Sequence, residues 1–223
     1  MEDSKEYAKK HLNTFYNKVI ENKKILDEKE AIFMAGSPGA GKTEVATELV
    51  SFYPNMCLID ADEFRKGFPK YNGKNSDKFQ PGTTWLVGDI FKKVTDAGYC
   101  FLLDGTFALK SASKNIKRVL KRNYNVNIFF VYQDPLIAWN FVKIREFKEG
   151  RHVPKNVFIN AYIMSRENII HVKEKFGNEI DIHLLFKDFK GKIYETIPNT
   201  NNISLILPEL YDKAFLEENL NDK

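Results

Sequence analysis

Short apolar runs alternate along this chain with longer stretches in which apolar residues recur every three or four positions. The runs are Ala31 to Ala35, Met56 to Ile59, Cys100 to Leu103, Val126 to Tyr132 and Ile180 to Phe186. Continuous apolar character over four to seven residues predicts strands buried on both faces, the habit of a parallel sheet. Between them Glu44–Phe52, Thr83–Ala97, Ser111–Asn123 and Pro135–Lys148 have helical spacing. In the second of these Thr83 or Thr84 is the expected cap, Trp85, Leu86, Ile90 and Val94 point inward, and Gly98 ends it. Asp134-Pro135 places proline at a first helical position, and Gly150 follows the end of that helix. Pro154 to Gly177 reads as a helix pair. Residues 66–82, KGFPKYNGKNSDKFQPG, read as a long loop over the sheet edge.

Strands alternating with helices imply an α/β fold with a mostly parallel five-stranded sheet in three layers. Lys190-Gly191-Lys192 looks like a turn leading into Ile193–Thr196, an antiparallel edge strand. Residues 3–29 carry Tyr7, Leu12, Phe15, Val19, Ile20 and Ile25-Leu26 at helical spacing, so one or two amphipathic helices precede the core. They would pack on that core or serve as a docking surface. A last helix is expected from Pro208. With no internal repeat, low-complexity tract or linker, residues 1–223 are expected to form one domain, with 1–29 as a helical extension and 140–177 as a lid with its following helices.

The first strand runs directly into Gly36-Ser37-Pro38-Gly39-Ala40-Gly41-Lys42-Thr43, a match to G-x-x-x-x-G-K-[ST] in the strand–turn–helix setting that the motif needs. Glycines let backbone N–H groups converge on a phosphate chain, and the helix that opens at Lys42, Thr43 and Glu44 adds its positive end. Lys42 would reach the β- and γ-phosphates and the Thr43 hydroxyl would ligate Mg²⁺, so the expected cofactors are ATP or GTP and Mg²⁺. The other charged clusters fall at strand ends or on the lid. Asp60-Ala61-Asp62-Glu63-Phe64-Arg65 follows the second strand, where alternate residues could turn Asp60 and Asp62 toward the phosphates together, one for metal and one for proton abstraction. The same residues would also suit a helix cap. Asp104-Gly105-Thr106 ends the third strand, with Asp104 placed to accept from a substrate hydroxyl. Arg145 and Arg151 flank Gly150 after the fourth strand, where guanidinium groups could stabilise a phosphoryl group in transfer. His152 has no companions that would complete a metal set.

Composition narrows the setting. A chain of 223 residues, 43 % apolar with 18 Phe and 10 Tyr, has ample material for a core and is not of the disordered class. The net charge of +4, from 34 basic against 30 acidic residues, is small enough that a phosphate site explains its sign; nucleic acid is not an expected partner. Cys57 and Cys100 both lie in apolar runs, which suits buried thiols and a cytoplasmic protein. The N-terminus lacks an apolar leader, and no segment is long and apolar enough to span a membrane.

From about Ile32 to Lys187 the chain resembles the zeta toxins, phosphotransferases with a P-loop fold. The resemblance rests on GSPGAGKT, then IDADEFR for the family's Asp-x-Asp-x-Phe-Arg/Lys, then LLDGT for its acid-Gly-Thr, then RE and GRHVPK. It implies that Asp62 is the general base for a sugar hydroxyl, that Lys42, Arg145 and Arg151 are catalytic, and that Asp60, Arg65, Asp104 and Thr106 line the substrate. Characterised toxins carry Glu where Asp104 stands and a longer spacer between the two arginines. Both departures fall at the substrate end. The implied activity is phosphorylation of a small molecule, foremost a nucleotide sugar such as UDP-N-acetylglucosamine, in a toxin that a small antitoxin protein would restrain. Kinases acting on NAD or a nucleic-acid 5′ end, and a nucleotide-binding switch without acceptor chemistry, are the other readings.

Overall fold

The computed structural model describes residues 3–221; Met1, Glu2, Asp222 and Lys223, the ends of the expected domain, lie outside the described residues. Two short helices, α1 (Ser4–Lys10) and α2 (Leu12–Ile20), lead into β1 (Lys29–Ala35), α3 (Lys42–Phe52), β2 (Cys57–Asp60), α4 (Ala61–Lys66) and α5 (Ser76–Ala97). Then come β3 (Phe101–Asp104), α6 (Ala112–Leu120), β4 (Tyr124–Tyr132), α7 (Pro135–Glu149), α8 (Lys155–Phe176) and β5 (Ile180–Lys187). The chain closes with β6 (Ile193–Ile197), α9 (Ile203–Ile206) and α10 (Lys213–Asn219). The sheet order is β2-β3-β1-β4-β5-β6, parallel throughout except for β6, which pairs antiparallel with β5.

That order decides where a ligand can sit. From β1 the chain crosses to β2 and β3 on one side and returns to β4 on the other, so the carboxyl end of β1 is the point where the winding reverses and a crevice opens. β2 and β3 are in register such that Asp60 lies opposite Asp104. The two carboxylates therefore stand on adjacent strands at that same end of the sheet, beside the glycine-rich turn.

The central strands are covered on both faces, which is why they read as largely apolar runs, whereas the edge strand β6 is mostly exposed. On one face Phe33, Ile59, Phe101, Ile128, Ile182 and Leu184 meet α5 through Leu86, Ile90 and Phe91 and α8 through Ile169 and Val172. On the other, Ile32, Met34, Leu102 and Leu185 meet Val45 and Ala46 of α3. Cys57 and Cys100 are free buried thiols, as expected from their apolar neighbours.

Three expectations are corrected. The loop over residues 66–82 ends early, because α5 starts at Ser76 and runs through Pro81. Phe79 is buried against Phe68 and Tyr71, and this aromatic packing holds the extra turn despite the proline, with Asn75 and not Thr83 or Thr84 as the first flanking residue. The expected pair of helices after Pro154 is one helix of 22 residues, with a buried face along its length that includes Phe158, Tyr162, Ile169 and Val172. The last helix starts at Lys213 and not at Pro208, where the Asp212 side chain accepts from the Phe215 N–H.

Candidate active site

The glycine-rich turn leaves β1 at Gly36, whose φ of +129° and whose close approach to the Val131 carbonyl both exclude a side chain. Its N–H donates to the Thr106 carbonyl at 3.2 Å, which ties the loop to the segment after β3. Ser37 and Ala40 are buried, Pro38 and Gly39 half-buried, and the Ala40 N–H closes the turn on the Ser37 carbonyl at 3.2 Å. Lys42, 9 % exposed, opens α3 and turns its Nζ back onto the Ser37 carbonyl at 2.7 Å. Burial lowers its ammonium to about 8, with Asp104 opposing and Arg145 and Arg151 adding to the shift. A cation held in so little water is primed for an anion.

Thr43 and Asp104 form the next pair. The Thr43 hydroxyl donates to Asp104 Oδ2 at 3.0 Å. Burial pushes the Asp104 carboxyl up, against the pull of Lys42 and the Thr43 hydrogen bond. A hydroxyl and a carboxylate oxygen side by side are oxygen donors of the kind Mg²⁺ takes, together with waters and substrate phosphates. Among the described residues no group of three or more His, Cys, Asp or Glu could hold a metal alone, so a magnesium ion would need the phosphates as well.

Asp60 and Asp62 do not act as an equivalent pair. Asp60 caps α4, accepting from the Asp62 N–H at 2.8 Å, and burial raises its carboxyl to about 6. Asp62, in the first turn of the helix, carries the charge contacts. Its Oδ1 pairs with Arg65 Nη1, its Oδ2 with Arg151 Nη1, and Arg145 Nη2 lies 3.6 Å from the same Oδ2. Three guanidinium groups thus gather on one carboxylate. Arg65, expected among the substrate contacts, is 3 % exposed, and its second nitrogen donates to Gln80 Oε1 at 2.6 Å. Its burial and its partners make it the support of Asp62. Arg145 also reaches Glu149 at 3.3 Å, and the exposed His152 pairs with Glu146 at 2.6 Å.

The sequence model of the family described as Zeta toxin matches residues 16–197, more than half of the chain. The chain belongs to the zeta toxin family. Toxin zeta of Streptococcus pyogenes is 26 % identical over 103 residues, 43 % of this chain and 36 % of that protein, so the match spans about a third of the relative's length. The chain is also similar in fold to the structure reported for the PezAT chromosomal toxin–antitoxin system of Streptococcus pneumoniae. There the TM-score is 0.68 at 16 % identity, over 100 % of this chain and 97 % of that one. The AvrRxo1-ORF1:-ORF2 structure with ATP gives 0.62 at 12 % identity, over 86 % and 65 %. At such identities the likeness carries the fold alone.

Two residues of this zeta toxin family member escaped sequence reasoning. Gln80 stands in a stretch that composition marks as loop, and it bridges Arg65 to Thr84 Oγ1, the latter at 3.0 Å. Lys187 ends β5 and reaches the Gly41 carbonyl at 3.1 Å. No local motif surrounds either, and a basic residue at the carboxyl end of a central strand was the one available signal for Lys187.

Proposed function

We propose that this chain is an ATP- or GTP-dependent phosphotransferase acting on a hydroxyl of a small molecule, foremost a nucleotide sugar such as UDP-N-acetylglucosamine. The observation that carries the reading is the convergence of Arg145 and Arg151 from the lid on Asp62, beside a buried Lys42 in a phosphate loop. A nucleotide switch without an acceptor has no use for a carboxylate held among guanidinium groups.

In this reading the loop N–H groups and Lys42 hold the β- and γ-phosphates, and Lys42 stays protonated once they arrive. Thr43 and Asp104 would hold Mg²⁺, which when bound shields the phosphate oxygens; Asp104 is thereby proposed for the metal side and not for the acceptor. Asp62 accepts the proton of the acceptor hydroxyl as its oxygen bonds to the γ-phosphorus and the bond to the ADP oxygen breaks. Arg145 and Arg151 exchange Asp62 for the equatorial oxygens of the phosphoryl group in flight. Thr106 and Asp60 remain proposed at the acceptor side. The toxin role, with a small antitoxin as partner, is proposed from family membership.

Incubation with ATP, Mg²⁺ and a pooled metabolite extract, followed by mass analysis, is expected to show one species gaining a phosphoryl group. Asp62→Asn should lower turnover by about 10²-fold or more with little change in ATP affinity, and Lys42→Ala should abolish it. Turnover at wild-type level in folded Lys42→Ala protein would sink the proposal. Loss of ATP binding in Asp62→Asn would move Asp62 from base to metal ligand.

A further inference from the structure

Side chains of β5 alternate between the two faces of the sheet. Leu184 and Phe186 enter the large cluster, while Leu185 joins the cluster under α3. Lys187, two residues beyond Leu185, continues that second face and carries an ammonium to the phosphate loop. Lysine ordinarily keeps its head group in water. Here the side chain is 7 % exposed, Nζ donates to the Gly41 carbonyl at 3.1 Å, and the Glu44 carboxylate lies 3.9 Å away. A β carbon at Gly41 would run into that Nζ and come within 3.0 Å of Cε. Gly41 is therefore bare on the side where Lys187 enters.

The geometry of a peptide gives this contact its consequence. A trans peptide is planar, and its C=O and N–H point in opposite directions. The Gly41 carbonyl shares a peptide unit with the Lys42 N–H, the first donor of α3. Holding the carbonyl against Lys187 aims that N–H the other way, toward the side on which a phosphate would lie. Gly41 has a φ of +82°, a conformation open to glycine in which rotation of the next peptide meets little steric resistance.

We infer that Lys187 is a positioning residue for the nucleotide phosphates, fixing the Gly41–Lys42 peptide so that its N–H is set for a phosphate before the nucleotide arrives. The inference rests on the phosphotransferase reading and adds a residue 146 positions away from the loop it serves. The test is calorimetric, on the full chain, with two probes: Mg·ATP, and tripolyphosphate, which offers phosphates without a nucleoside. Lys187→Met keeps the unbranched stem and loses the donor. Its dissociation constants for both probes should rise about tenfold, the scale of a hydrogen bond from a charged group, with the thermal midpoint nearly unmoved. Lys187→Arg, which restores a charged donor, should recover most of the loss. Lys187→Gln, polar and uncharged, is the second variant and should weaken both probes by about threefold or more. Wild-type affinity in Lys187→Met or, should that variant not fold, in Lys187→Gln would overturn the inference. So would a loss confined to Mg·ATP, since Lys187 would then serve the nucleoside. Wild-type protein that binds neither probe would instead remove the phosphotransferase reading, and this inference with it.

Discussion

Asp60 meets two demands at once, an acceptor for the first turn of α4 and a buried carboxyl at the end of β2, and they pull its proton in opposite directions. Burial wins and raises the carboxyl from 3.8 to about 6, although the Asp62 N–H favours the charged form. The folded state thus holds this proton more tightly than the unfolded chain does. Its contribution to stability is complete below about pH 4 and is lost as pH rises through 6. Asparagine caps a helix as well as aspartate does and never ionises. Asp60→Asn should therefore be close to neutral near pH 4 and stabilise by about 1–3 kcal/mol at pH 7.5, as read from urea midpoints at the two values. An equal effect at both would show that Asp60 folds without a proton cost. At this scale, legibility followed distance along the chain. Lys42 and Thr43 belong to one contiguous motif, and the motif named them. Arg65 was named, while its hydrogen bond to Gln80 of α5, 15 positions on, was not legible. The Thr43–Asp104, Asp62–Arg151 and Gly41–Lys187 contacts join residues 61, 89 and 146 positions apart, and no spacing rule reaches that far.

At the scale of elements, strands were legible because apolar runs are local signals, while two helix starts were misplaced, that of α5 by packing and that of the last helix by the Asp212 cap. Composition marks residues 66–82 as loop, yet Phe79 draws Ser76 to Pro81 into α5 through tilted and edge-on contacts with Phe68 and Tyr71. The segment expected to act as a lid combines a helix end and the turn beyond it. Arg145 lies in α7 just ahead of its last turn, Gly150 ends the helix with φ of +75°, and Arg151 follows at once. This change of direction at Gly150 accompanies two arginines that reach one carboxylate. Without nucleotide their charge is spent on Asp62; on the proposed pathway it develops its full use only as the γ-phosphoryl group leaves ADP. Arg145→Ala and Arg151→Ala should each lower kcat by about 10³-fold or more while moving KM for ATP far less, and lysine should rescue in part because an ammonium lacks the planar fork. Steady-state kinetics of the singles and the double mutant would decide it. Changes confined to KM would make both arginines ground-state binding residues.

Across the whole molecule, the two N-terminal helices belong to the layer that holds α4 and α5. Phe15 of α2 packs on Phe64 and Phe68 around α4, the helix that carries Asp62 and Arg65. Ser4 of α1 lies against α5, its Oγ accepting from the Gly82 N–H at 3.2 Å. Helical periodicity made these helices legible as amphipathic, while the surface they cover emerges only once α4 and α5 are in place. Two glycines of the same helix test this layer with opposite signs. A β carbon at Gly82 would run into the Ser4 carbonyl oxygen and come within 2.7 Å of its carbon, contacts with backbone that cannot swing aside, whereas one at Gly88 would meet nothing within 4 Å. Alanine is the better helix former by about 1 kcal/mol, so Gly88→Ala should raise the thermal midpoint by about 2–4 °C. At Gly82 the same propensity gain is outweighed by overpacking of about 1–3 kcal/mol, and the midpoint should fall. If Gly82→Ala were as stable as Gly88→Ala, α1 would not be seated on α5 in solution. The N-terminal helices would then be an appendage, and the support of Asp62 would have to come from α5 and Gln80 alone.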